Sequence, residues 1–267
     1  MLLSAAAAGA LAAKAPAKDD VGEVWQLVAD HLGRDAYIKL DGLEGPATRE
    51  RKFAEAVVAV DYQPVTQARL ESAAAVFAEL ATGDDEIAAA SAYLEARLYQ
   101  IHLQALDYEK AAVLYRALAE RHPRSHWAQL GLVKLGLLTL YVLPEPATPA
   151  ARISAAQALL PRLAEKELVR DLELQLGRAG AFYEQPLETI LPHLVAADRI
   201  GGLIGQARED LIVMIGELSL RSGHYAQART YFERYEREYT YNMRLVTVRR
   251  RLEDLAALEA KAREAKP

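Results

Sequence analysis

An alanine followed four residues later by an aromatic ring occurs three times in this chain, at related spacings. The pairs are Ala73 with Phe77, Ala111 with Tyr115, and Ala228 with Phe232. The second pair begins 38 residues after the first, and the third begins 117 residues after the second, which is three steps of 39. Residues four apart share one face of a helix, so each pair marks a packing face. The repeat predicts an all-α fold, an α-solenoid of helical hairpins.

The composition agrees with helix and excludes several kinds of site. Alanine and leucine dominate the 267 residues, and most Gly and Pro residues separate apolar stretches rather than interrupt them. No stretch alternates with β-branched residues, so we predict no sheet. A net charge of −5 gives no general attraction to nucleic acid. The absence of cysteine excludes disulfides and thiolate sites.

The first twenty residues form a segment of their own. Residues 2–13 are an apolar run, which is shorter than the ~20 residues that cross a bilayer. The run matches the hydrophobic region of a secretory signal peptide, although no basic residue precedes it. Small residues at Ala10 and Ala12, and again at Ala15 and Ala17, fit a cleavage site. Residues 1–20 are therefore predicted to be a signal peptide or a disordered tail. The first alternative places the protein in the periplasm or another extracytoplasmic space, and the second in the cytoplasm.

Helix punctuation predicts about twelve helices in six hairpins over residues 21–262, followed by a disordered tail at 263–267. We predict N-caps at Asp84 or Asp85, at Ser125 and at Thr148, because their side chains accept the free amide protons of a first turn. Pro161 and Pro192 are expected to kink or shorten their helices. The predicted ranges are 21–32, 49–60, 64–80, 86–106, 108–121, 127–142, 150–164, 167–183, 186–197, 203–221, 225–239 and 242–262, with Pro64 in the first turn of the third helix.

Two hairpins resemble the tetratricopeptide repeat (TPR) family, with long repeats like those of adaptors in the bacterial cell envelope. The first spans 92–123 and lacks the family's glycine in its first helix, having Tyr99 instead; the second spans 209–240 and ends on Thr240 rather than on the usual proline. The resemblance implies a protein-binding scaffold without enzymatic activity. The matching residues are Leu98, Tyr108, Ala111, Tyr115 and Pro123 in the first, and Ile215, Gly216, Gly223, Tyr225, Ala228 and Phe232 in the second.

The resemblance also implies a groove that binds a protein or peptide partner, lined by the first helix of each hairpin. Its positions fall on Tyr93, Gln100, Gln104, Val133, Leu137, Tyr141, Arg178, Phe182, Glu217 and Arg221. The helix at 127–142 has Lys134 as its only charge, and a helix that is apolar all round must be covered. Either its neighbours bury it or a partner segment docks on it.

A second candidate surface is basic. Arg244, Arg249, Arg250 and Arg251 lie on the last predicted helix, whose leucines and valines would cover the last hairpin. The arginines then point to solvent or to an acidic partner. Acidic residues follow directly in the sequence and reduce the positive field, so nucleic acid is not expected as a partner.

The sequence indicates no reaction centre and no cofactor. His122 and His126 are four apart, but Pro123 breaks the helix that would bring them together as metal ligands. The glycine-rich stretch at 201–205 follows a helix rather than a strand and is predicted to be a turn rather than a phosphate loop. His102 occupies a position where the repeat usually has Tyr, which predicts a packed or groove-facing histidine. The expected function is a non-enzymatic adaptor; the alternatives are a cytoplasmic assembly or regulatory module, and a protein that binds a glycan or small ligand.

Overall fold

A computed structural model describes residues 21–264 of the protein. Within this range the chain forms thirteen α-helices, one π-helical turn and one 3₁₀ turn, and no β-strand. The predicted all-α class is therefore confirmed. The predicted signal peptide or tail at 1–20 lies outside the described residues, as do residues 265–267 of the predicted C-terminal tail.

The chain divides into two compact units, one ending at Leu135 and the other beginning at Gly136. The helices of the first unit are α1 (Gly22–Ala29), α2 (Gly33–Asp41), α3 (Arg49–Asp61), α4 (Gln67–Leu80), α5 (Glu86–Arg97), α6 (Tyr108–Arg121) and the first part of α7 (His126–Tyr141). From α1 to α6 each helix packs on the next along the chain, and α1 also contacts α3. A π-helical turn, Leu98–His102, follows α5.

The second unit begins inside α7 and has its own series of packed helices. Its most extensive pairs are α9 with α10 and α11 with α12, and α13 packs on α12. A 3₁₀ turn, Leu160–Arg162, follows α8. The remaining helices are α8 (Pro149–Gln157), α9 (Lys166–Phe182), α10 (Leu187–Ile200), α11 (Gly205–Arg221), α12 (Tyr225–Glu238) and α13 (Leu245–Glu264).

The predicted N-caps are in place. Asp85 accepts from the Ala88 N–H at 2.8 Å, and Ser125 and Thr148 accept from amides of α7 and α8. Burial of Asp85 would raise its pKa, but the Ala88 N–H and the Arg49 guanidinium outweigh it, so the pKa lies below its ordinary value. Further N-caps, which the sequence analysis did not name, are Thr48, Thr66 and Asp107.

Near the N-terminus the structure differs from the prediction. The first helix ends at Ala29, because His31 adopts a left-handed conformation (φ 60°), and a separate helix follows from Gly33. Leu32, the last residue of the predicted helix 21–32, lies outside both helices and is 45% exposed. The prediction that Pro64 lies in a first helical turn is also wrong, since Thr66 caps a helix that begins at Gln67, three residues after Pro64.

Two other predicted helices are shorter than expected, and one proline is tolerated. The α-helix predicted over 86–106 ends at Arg97 and is followed by the π-helical turn. Pro161 lies in the 3₁₀ turn after α8, as the shortened alternative predicted. Pro192 instead lies inside the continuous helix α10, where its ring is on the exposed side.

The three Ala–aromatic pairs occupy the core. All six side chains are buried, and the two rings Tyr115 and Phe232 are completely covered. Gly216 of α11 packs directly against the Phe232 ring of α12. A Cβ at this glycine would come within 2.7 Å of the ring. The pair therefore packs at close range, which is the role that the repeat pattern predicts for its glycine.

Helix α7 is covered over most of its length. Its side chains Trp127, Leu132, Val133, Leu135, Leu138 and Leu140 are buried, and Tyr141 at its C-terminal end is the first large side chain to be exposed. Of the two alternatives for this helix, the structure favours burial. None of the described helices is long and apolar enough to span a membrane.

Candidate binding cleft

The first unit contains a cleft of about 510 Å³ formed by α1, α3, α4, α5 and the π-helical turn. Its walls are largely apolar and come from helices that are far apart in the sequence. The cleft is therefore formed by tertiary packing and not by a single sequence motif. The apolar wall includes Val28, Val57, Val60, Leu70, Leu94 and Leu98. A pocket of this size and lining is typical of ligand sites in proteins.

The π-helical turn shapes one side of the cleft. The Leu103 N–H donates to the Leu98 carbonyl at 3.1 Å, five residues back, so one extra residue is accommodated in this turn. The turn brings Ile101 and His102 to the cleft, and Ile101 remains 48% exposed. Such turns are frequent at functional sites, and this one supplies both an apolar and a polar side chain.

The polar end of the cleft is built around Arg97. Its Nη1 donates to Oε1 of Gln100 at 2.7 Å, and the Tyr115 hydroxyl donates to the same oxygen, also at 2.7 Å. Gln100 is only 4% exposed, so this oxygen is held in place by two donors. Among the described residues, no carboxylate lies within ion-pair distance of the Arg97 guanidinium. Asp61 lines the same cleft but is exposed.

Burial and charge shift the titration of three groups around this end. Burial lowers the pKa of His102, and the Arg97 charge lowers it further. Burial raises the pKa of Tyr93 to about 12 and raises that of Tyr115 as well. His102 is therefore neutral at pH 7, while the two phenols stay protonated.

The structure brings one predicted groove residue of this unit to the cleft and buries the others. Gln104 lines the cleft, and its N–H donates to Oε1 of Gln67 at 3.0 Å. Gln100 is buried and accepts the hydrogen bond from Arg97. Tyr93 packs between the rings of Tyr115 and Trp127, at centroid distances of 6.0 and 5.4 Å. Val133 is also buried, so a partner cannot contact Tyr93, Gln100 or Val133 in this structure.

In the second unit three predicted groove residues do lie together. The rings of Tyr141 and Phe182 are 5.7 Å apart, and both contact Tyr183, at 6.1 and 5.0 Å. Arg178 is close enough to lower the pKa of Tyr141, although burial and Tyr183 raise it overall. Phe182 is 69% exposed, so these four residues, the aromatic cluster, present a surface to solvent.

Among the described residues, no ring contact or hydrogen bond connects the remaining predicted groove residues to the aromatic cluster. Leu137 is half-buried on α7. Glu217 accepts from Nε of Arg251 at 2.8 Å and is therefore engaged within the fold. Arg221 is exposed at the last residue of α11.

The basic surface on α13 is largely neutralised. Arg249 pairs with Glu236 at 2.7 Å, and Arg251 pairs with Glu217 and Asp254. Arg244 pairs with two acidic residues of α11, Glu209 and Asp210. Within the part of the chain that the structure describes, Arg250 alone of the four has no acidic partner. An acidic partner would therefore compete with internal ion pairs at three of the four arginines.

The other polar clusters carry no evident chemistry. The described residues contain no group of three or more His, Asp or Glu side chains that could hold a metal ion. His193 and Glu173 form a half-buried pair at 2.6 Å between α10 and α9. Residues 201–204 form the loop between α10 and α11, Gly205 begins α11, and Gly201 and Gly202 both have positive φ. The interpretation of this stretch as an interhelical turn is consistent with that conformation.

The sequence analysis missed Arg97 and the contribution of α1, α3 and α4 to the cleft. The family resemblance covered the hairpins from residue 65 onward, so it assigned no groove positions to the N-terminal helices. The signal that was present is the apolar face of α3, where Val57 and Val60 lie three residues apart. Nothing in the sequence pattern indicates that an extra residue in the π-helical turn brings Ile101 and His102 to the same place.

Comparison with known proteins adds no relative. The chain matches no protein-family model, no curated protein and no solved structure at a significant level. The resemblance to the TPR family therefore stays a prediction from the residues that carry it.

Proposed function

We propose that this protein is a non-enzymatic adaptor, a TPR-like α-solenoid of about six hairpins, which binds a segment of a protein partner in the cleft of its first unit. The cleft itself is the observation that supports the proposal. It combines an apolar wall with a polar end at Arg97 and His102, which is the arrangement that fixes the orientation of a bound segment.

The lining of the cleft favours binding over catalysis. Among the described residues that line it there are two imidazoles and one carboxylate, but no Ser, Thr, Cys or Lys side chain that could act as a nucleophile. His102 has Arg97 rather than an acid beside it, so no carboxylate raises its basicity. A peptide segment needs only apolar contact and a few directed hydrogen bonds, and the cleft offers both.

Site-specific photo-crosslinking in the native host tests the proposal. One probe replaces Ile101, which is exposed inside the cleft, and a matched probe replaces Val113, which is 60% exposed on α6 and does not line the cleft. We expect the probe at Ile101 to form a crosslink to a protein, identified by mass spectrometry, and the probe at Val113 to form none.

A third probe at Tyr141 examines the aromatic cluster of the second unit in the same experiment. A crosslink from Tyr141 with none from Ile101 would move the binding surface to the second unit and contradict the proposal. A fourth probe replaces Arg250, and a crosslink from this probe alone would move the binding surface to α13 and contradict the proposal as well.

We also propose that the adaptor acts in the bacterial cell envelope, on the basis of the signal-like residues 1–20. The test is the N-terminal sequence of the mature protein, determined after fractionation of the native host. A chain that begins after residue 12 or 17 in the extracytoplasmic fraction supports export. An intact Met1 on cytoplasmic protein would contradict it.

A further inference from the structure

Several arginines of this fold have carboxylate partners, whereas no carboxylate among the described residues pairs with Arg97. Arg234 binds Asp198 through both oxygens, Arg170 binds Asp171, and Arg229 binds Glu259. Arg97 is half-buried in a largely apolar cleft, where an uncompensated charge is costlier than at the surface. Its partners are neutral groups: Nη1 donates to Gln100 at 2.7 Å, and the guanidinium also interacts with the Tyr115 hydroxyl.

The geometry leaves part of the Arg97 guanidinium available to a ligand. A guanidinium has five N–H donors in a planar fork, and Gln100 accepts from Nη1 only. Because Tyr115 also donates to the same Gln100 oxygen, that oxygen is fixed, and it in turn fixes the orientation of Arg97. Two parallel N–H donors of a pre-oriented guanidinium can bind both oxygens of a carboxylate.

The surroundings restrict what the carboxylate can belong to. Leu94, one turn before Arg97, and Leu98, the residue directly after it, line the cleft together with valines of α3. These walls favour a bound segment that has apolar side chains on either side of its acidic residue. The exposed carboxylate of Asp61, on the opposite helix, would disfavour a second acidic residue nearby.

We propose that Arg97 is the specificity-determining residue of the cleft and that it binds the carboxylate of an Asp or Glu side chain flanked by apolar residues in the partner segment. This inference rests on the proposed function, because it assumes that the cleft is where the partner docks. It adds the chemical class of the partner segment, which the cleft volume alone does not define.

Selection from a phage-displayed library of random twelve-residue peptides tests the inference on the full chain. Wild-type protein should select peptides in which one acidic residue lies between Leu, Ile, Val or Phe residues. The Arg97→Gln variant should lose the acidic residue from its selected sequences. Arg116→Gln, which removes an exposed arginine of α6 that does not line the cleft, is the matched control and should select the same peptides as wild type.

A double-mutant cycle with one selected peptide gives the decisive number. In fluorescence anisotropy we expect Arg97→Gln, and separately Asp→Asn or Glu→Gln in the peptide, each to weaken binding about tenfold. Both changes together should weaken it no further than either alone. If the two effects multiply, or if Arg97→Gln binds the acidic peptide as wild type does, the inference is wrong. Urea unfolding of Arg97→Gln and Arg97→Lys shows whether either variant has lost its fold.

The location of the peptide separates this inference from the proposed function. A selected peptide that crosslinks from the probe at Ile101, but shows no coupling to Arg97, contradicts the role of Arg97 and leaves the cleft as the docking site. A selected peptide that crosslinks elsewhere, or a selection that yields no peptide, contradicts the proposed function and the inference together.

Discussion

The hydroxyl of Tyr115 on α6 donates a buried hydrogen bond of 2.7 Å to Oε1 of Gln100 in the π-helical turn. The tyrosine is the aromatic member of one Ala–aromatic repeat pair, and the glutamine supports Arg97 at the polar end of the cleft. One side chain of the repeat signature thus connects the core of a hairpin to the candidate binding residue.

Removal of the Tyr115 hydroxyl should weaken the fold modestly. We expect Tyr115→Phe to lower the free energy of unfolding by about 1 kcal/mol, because one buried hydrogen bond is lost while Gln100 keeps the one from Arg97. Urea denaturation measures this change. Tyr241→Phe is the control, since Tyr241 is fully exposed, and it should leave stability unchanged. Equal stabilities for Tyr115→Phe and wild type would contradict the described network.

His102 should give the protein an acid-sensitive component of stability. Its pKa in the folded state lies below the ordinary 6.5, because burial and Arg97 disfavour the charged ring. As the pH falls below 6.5 the unfolded chain takes up the proton first, so the free energy of unfolding decreases until the folded pKa is reached. We expect His102→Gln to lose this decrease, measured by urea denaturation between pH 7.5 and 5. Parallel pH profiles for the two proteins would show that His102 is not buried as described.

Gly216 should not tolerate a larger side chain. A Cβ at this position would lie 2.7 Å from the Phe232 ring, so Gly216→Ala must displace a rigid side chain. Overpacking costs about 1–3 kcal/mol, and the better helix propensity of alanine offsets about 1 kcal/mol of it. We therefore expect a net loss of up to about 2 kcal/mol in urea denaturation. The matched variant Gly42→Ala meets no atom closer than 3.6 Å and should lose no stability.

The Asp198 carboxylate should contribute more than an exposed ion pair does. It accepts from Arg234 at 2.7 Å and from the Tyr231 hydroxyl at 2.9 Å, on helices α10 and α12. We expect Asp198→Ala to lower the free energy of unfolding by about 2 kcal/mol, because the Tyr231 hydroxyl loses its acceptor and Arg234 keeps only its pair with Glu238. Asp84→Ala removes only an exposed pair with Arg121 and should cost less than about 1 kcal/mol. A smaller loss for Asp198→Ala than for Asp84→Ala would contradict this ranking.

The exposed ring of the aromatic cluster should contribute little to stability. Phe182 is 69% exposed, so Phe182→Ala should change the free energy of unfolding by no more than about 0.5 kcal/mol. If this surface contacts a partner, the yield of crosslinks from a probe at Tyr141 should fall several-fold in the variant. An unchanged yield would show that the ring takes no part in the interaction.

Helices were the part of the fold that local sequence could predict. Ser125 and Thr148 cap helices where their hydroxyls were expected to, because capping depends on residues only two or three apart. The break at His31 and the π-helical turn after Arg97 were missed, because both depend on backbone conformations that the residue types do not require. The accessibility of the groove residues was also beyond local pattern, since Tyr93 is covered by Trp127 from a different hairpin.

The sequence by itself determined that the chain is all-helical and that three Ala–aromatic pairs lie in its core, because the spacing of apolar residues sets which face of a helix leaves water. Only the tertiary structure decided that Arg97 lies in a largely apolar cleft where no carboxylate of residues 21–264 pairs with it, while Arg249 and Arg251 are paired. Whether a charge has a partner depends on which helices pack side by side. That packing joins residues far apart in the chain, whose side chains the sequence alone does not bring together.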